Sequence, residues 1–66
     1  MELIINGEKK QIYNSNNVYE MLVELKLNPD IIAVEKNSEI INKKSYQAEK
    51  INSGDKFELI RFMGGG

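Results

Sequence analysis

The sequence predicts an α+β fold, in which a mixed sheet of about five strands carries one helix across one face. Three observations lead there. The runs Leu3-Ile4-Ile5, 32–36 and 56–62 are short, rich in β-branched or aromatic residues and bounded by turn signals. Residues 18–27 instead repeat apolar side chains at helical spacing. A chain of 66 residues is one small domain that buries only about 60% of its unfolded surface, so all these elements must share a single core.

Taken in order, Leu3-Ile4-Ile5 passes through Asn6-Gly7 to Gln11-Ile12-Tyr13, and Asn-Gly supplies the positive φ angles of a type I′ hairpin. Glu8-Lys9-Lys10 is the solvated start of the second strand. Period-two alternation puts Leu3 and Ile5 on the core face with Ile12, and Ile4 on the other. Asn17 and Glu20, three apart, form a capping-box pattern in which Asn replaces Ser or Thr. Val18, Met21, Leu22 and Leu25 then line one helix face while Glu20, Glu24 and Lys26 lie largely opposite. Glu20 and Glu24 read as a solvated face or as an acidic contact pair; without convergent partners they make a poor metal site. Leu27-Asn28-Pro29 ends the helix, because proline disfavours helical geometry in the residue before it.

Residues 32–36 predict a third strand with Ile32 and Val34 inward, and Asn37-Ser38 a turn into Glu39-Ile40-Ile41. Residues 42–50 lack periodicity and read as a connection with one helical turn over 45–48, anchored by Tyr46. Lys43, Lys44 and Lys50 there form a solvated loop or a weak basic cluster. Ser53-Gly54-Asp55 is a turn, and 56–62 is the strongest strand candidate, with Phe57 and Leu59 inward. Two hairpins around one helix, with the first and last strands as central neighbours, make a β-grasp arrangement.

Composition removes several function classes. Nine Lys plus Arg against ten Asp plus Glu give a net charge of −1, whereas nucleic-acid binders carry a basic excess. The longest apolar run, residues 31–34, is far short of the ~20 residues of a membrane span, and no charged-then-apolar leader precedes the first strand; no nucleic acid or membrane partner and a cytoplasmic location are expected. Cysteine and histidine are absent, which excludes disulfides, the common zinc sites, thiol nucleophiles and an imidazole base. An enzyme is not expected.

The chemistry is concentrated in Phe62-Met63-Gly64-Gly65-Gly66. At average glycine usage a Gly-Gly-Gly ending arises by chance about once in three thousand chains. Lacking Cβ atoms, it has nothing to pack, so 63–66 is expected to be a flexible tail on a domain spanning 1–66. Fully extended, residues 63–66 reach roughly 13 Å, enough to enter a narrow cleft in another protein. With no cysteine to carry a persulfide or thioester, any cargo must sit on the terminal carboxylate. Ile60 and Phe62 alternate outward beside this end, joined by Ile4; exposed apolar groups of this kind mark a partner surface, unless Phe62 merely covers the sheet edge or packs on the loop.

These residues resemble a known family along the whole chain: the small ubiquitin-like sulfur carriers, and among them the bacterial carrier serving the thiazole ring of thiamine. The resemblance rests on the opening strand with Asn6-Gly7, the 18–27 helix, Ala33-Val34-Glu35-Lys36-Asn37, Ser53-Gly54-Asp55 and Phe62-Met63-Gly64-Gly65-Gly66. Where the family often has Asn-Gly and then proline, this chain has Asn37-Ser38 and Asn42, departures that touch turn geometry more than chemistry. The resemblance implies a ubiquitin-like fold and a carrier, monomeric when free, that binds no cofactor itself. A partner adenylyltransferase of the ubiquitin-activating type would use ATP and Mg²⁺ to adenylate Gly66. Sulfur from a cysteine desulfurase relay would displace AMP, and the thiocarboxylate would serve thiazole synthase. Gly64 and Gly65 would thread the channel, while Ile4, Ile60, Phe62 and Met63 would meet partners. Carriers for molybdopterin synthesis or tRNA thiolation, a ubiquitin-like protein modifier and a binding module with an inert tail are the alternatives.

Overall fold

The computed structural model describes residues 1–61, so the expected tail at 63–66 and the last expected strand residue, Phe62, lie outside the described residues. The first strand, β1 (Glu2–Ile5), turns at Asn6 and Gly7, with φ of 51° and 81°, into β2 (Glu8–Gln11). This is the expected type I′ geometry, and β2 holds the expected solvated start at 8–10 but ends at Gln11, short of Ile12 and Tyr13. A two-residue loop sets Glu8 directly opposite Ile5, and pairing runs out where Gln11 meets Glu2. Ile12 therefore follows the strand, yet its side chain is buried in the core as expected.

Asn17 caps helix α1 (Val18–Glu24), its side chain accepting from Glu20 N–H. Glu20 answers with a bond from the Asn16 N–H, 2.8 Å, one position outside the usual capping box. The first free helical donors are also satisfied, Val18 N–H by Glu49 and Tyr19 N–H by Tyr46. The helix stops before the proline signal. Lys26 adopts φ 63°, its N–H donates to Val23, and the Leu27 N–H reaches back to Leu22. That is a Schellman motif, closed by apolar Leu22 and Leu27 without a glycine.

The third strand, β3 (Ile32–Lys36), buries Ile32 and Val34 and turns through Asn37 and Ser38, both at positive φ, into the two-residue β4 (Glu39–Ile40). A 3₁₀ turn at Lys43–Ser45, started where Asn42 accepts from the Lys44 N–H, runs on into the expected turn over 45–48, where the Ser45 carbonyl accepts from the Ala48 and Glu49 N–H groups. Tyr46 anchors the connection: it is 4% exposed and its hydroxyl donates to the Ile32 carbonyl at 2.7 Å. The last strand, β5 (Lys56–Arg61), completes the sheet order β2-β1-β5-β3-β4. It runs parallel to β1 and antiparallel to β3, so first and last strands are the expected central neighbours. Leu3, Ile5, Val34 and Phe57 face Val18, Met21 and Leu22 of the helix across one core, and Leu59 packs partly buried against it.

Candidate functional site

The end of β5 is where the sheet delivers the chain to residue 62. Its inward side chains, Leu59 and Arg61, line a groove with Ile5, Leu25, Leu27 and Ile32, and Lys10 adds a second cation at its rim. Its outward side chain is Ile60, 53% exposed and directly opposite Ala33 of β3. Residue Ile40 of β4 pairs with Glu35 and is 80% exposed. It therefore stands diagonal to Ala33 on the same face, within about 7–8 Å. Ile60, Ala33 and Ile40 form an exposed apolar patch, bordered by Glu58 and Glu35, which face each other across β5 and β3.

Among the residues expected to meet partners, Ile60 lies on this patch. Ile4 shares the outward face but is half-buried beside Lys56, about 13 Å along the strand from Ile60, with Glu58 between. The register thus separates the two. Phe62, Met63, Gly64, Gly65 and Gly66 lie outside the described residues. Ala33 and Ile40 escaped the sequence reading because their neighbourhood depends on the register of β4; strand alternation applied across the Asn37-Ser38 turn is the signal that locates them.

The acidic helix pair proves structural. The Glu24 carboxylate accepts from Tyr13 N–H (2.7 Å), Asn14 N–H (3.0 Å) and the buried Ser15 hydroxyl (2.7 Å), tying the β2–α1 connection to the helix. The Ser15 hydroxyl first, then the two backbone donors, hold this carboxyl below its ordinary value of 4.5. Burial pushes the Tyr46 phenol above its ordinary value, opposed by a backbone hydrogen bond from Val34. Inward-pointing Lys36 is held by the Lys50 carbonyl (2.8 Å), Glu49 (3.1 Å) and Asp55 (3.6 Å). Lys43 donates to the Asp30 carbonyl. Among the described residues, no three His, Cys, Asp or Glu side chains converge as a metal site, and no helix is long and apolar enough to cross a membrane.

A model of the ThiS family matches residues 3–66. A thiazole synthase of Paramagnetospirillum magneticum is 44% identical over 66 residues, which are the whole of this chain and 20% of that protein. The sulfur carrier protein ThiS of Bacillus subtilis is 32% identical over 65 residues, 97% of this chain and 98% of the relative. The crystal structure of the thiamine biosynthesis protein ThiS from Geobacter metallireducens superimposes with a TM-score of 0.84 at 33% identity, covering all of both chains. The chain thus spans a fifth of the thiazole synthase and nearly all of the Bacillus carrier.

Proposed function

This chain belongs to the ThiS family, and from that premise we propose that it is a sulfur carrier of thiamine biosynthesis whose Gly66 carboxylate is adenylated, converted to a thiocarboxylate and presented for thiazole formation. Adenylation turns a poor acyl electrophile into a good one, because AMP leaves far more readily than oxide. A persulfide delivered by a cysteine desulfurase relay then attacks the carbonyl carbon, forming the C–S bond as the C–O bond to AMP breaks. A thiol reductant cleaves the S–S bond of the resulting acyl disulfide to leave the thiocarboxylate. The catalytic groups, ATP and Mg²⁺ belong to a partner adenylyltransferase, and the carrier supplies recognition and reach in the cytoplasm. The observation that carries this reading is the family match, which extends through the glycines to residue 66. Support also comes from β5, the central strand that precedes Gly64, Gly65 and Gly66 in the chain, with exposed Ile60, Ala33 and Ile40 near its end as the proposed docking patch.

Thiazole synthase is proposed as the sulfur acceptor, in keeping with the thiazole synthases that the chain resembles. The test is the intact mass of the protein after incubation with its adenylating enzyme, ATP and a sulfur donor, with fragmentation to place any change. Replacement of one oxygen by sulfur at Gly66 is the expected result. An unmodified terminus beside a demonstrably active partner would overturn the proposal, and stable conjugates to lysine would point to a protein modifier.

A further inference from the structure

β1 ends early relative to the strand it pairs with. At Asn6 the chain enters the hairpin turn with φ 51°, after its N–H has donated to the Phe57 carbonyl at 2.9 Å. β5 continues to Arg61, so its next β1-facing backbone groups, those of Leu59, have no strand beside them. The Asn6 side chain fills that place. Its Oδ1 accepts from the Leu59 N–H at 2.8 Å, and its Nδ2 donates to the Leu59 carbonyl at 3.3 Å. A carboxamide carries the same donor and acceptor as a peptide unit, and here it extends the β1 ladder by one step across 53 residues of sequence. The other flank of β5 is held by β3 up to the Arg61–Ile32 pair.

We propose that Asn6 is a positioning residue, a side-chain surrogate for a strand that holds the end of β5 from its second flank and so fixes the orientation of the strand as far as Arg61. The consequence for docking rests on the carrier reading above. A strand end held in one orientation has less conformational freedom to lose when a partner docks against it. Asn6 therefore acts on recognition, with no part in the acyl chemistry.

The turn and the side chain are separable by mutation. Asn6→Gly keeps the turn, since glycine adopts positive φ freely, and removes both bonds to Leu59. Asn6→Asp keeps an acceptor for the Leu59 N–H while losing the donor. In the free full-length protein, Asn6→Gly is expected to speed hydrogen exchange at the Leu59 amide about tenfold or more, and Asn6→Asp to restore much of the protection. In steady-state adenylation with the partner enzyme and ATP, the carrier concentration for half-maximal rate is expected to rise about three- to tenfold in Asn6→Gly. The maximal rate should stay unchanged and Asn6→Asp should fall between. Unaltered Leu59 protection in Asn6→Gly overturns the proposal, as does lost protection with wild-type half-saturation. A wild-type chain that is not adenylated at all would instead sink the carrier reading, and the exchange data, taken on the free protein, would still decide whether Asn6 holds β5.

Discussion

Glu24 shows how one side chain does two jobs. It sits at the last turn of α1, where a carboxylate meets the negative end of the helix dipole and is locally disfavoured, yet it organises the whole β2–α1 connection by accepting from three donors. Its lowered pKa fixes the sign of a pH effect. A carboxyl with a depressed folded-state pKa contributes stability that is fully present above its ordinary value of 4.5 and is lost as pH falls through the lower, folded value. Glu24→Gln is therefore expected to lower Tm at neutral pH and to flatten the acid limb of Tm against pH. An acid limb as steep in the variant as in the wild type would assign that loss to other carboxylates.

At the scale of elements, turns decide what the strands present. Asn37 and Ser38 both lie at positive φ, a type I′ pair in which the second position favours glycine. Replacing Ser38 by glycine relieves about 1 kcal/mol of left-handed strain and costs roughly 0.5 kcal/mol through a looser unfolded chain. Ser38→Gly is thus expected to raise Tm by about 3 °C, read by thermal unfolding; a fall would mean that the serine hydroxyl supports the turn. The same turn explains the limits of reading this chain by pattern. Alternation was enough to place Leu3, Ile5, Val34 and Phe57 in the core, and Asn17 and Tyr46 announced their roles through local spacing. Nothing local announced the helix end at Lys26, where the stop is a backbone motif with no glycine. The Glu24 tether and the neighbourhood of Ala33, Ile40 and Ile60 were equally hidden, since both depend on contacts between segments distant in sequence. The proposed chemistry could be read from the sequence because it lies in a run of residues, and the proposed docking surface only in part because it lies in a register.

Across the whole molecule, on the proposed reading, folding and chemistry are divided between different stretches. Residues 1–61 assemble one core, and among these described residues no buried side-chain polar atom lacks a partner, while the proposed cargo site is the last residue. Deleting Gly66, or extending the chain beyond it, is expected to abolish sulfur loading in the mass assay while shifting Tm by no more than about 1 °C, as for changes remote from the core. A fall of several degrees would place the terminal residues within the folding unit, and normal loading would remove Gly66 from the chemistry. The position of β5 has a mechanical consequence as well. Flanked by β1 and β3, it has hydrogen bonds on both sides that run across its axis. A pull along that axis loads both rows together in shear, whereas an outermost strand would peel away bond by bond. In the proposed cycle an enzyme drawing the chain's end into its cleft would haul on a strand moored along both flanks, so the carrier would tolerate being towed without unravelling.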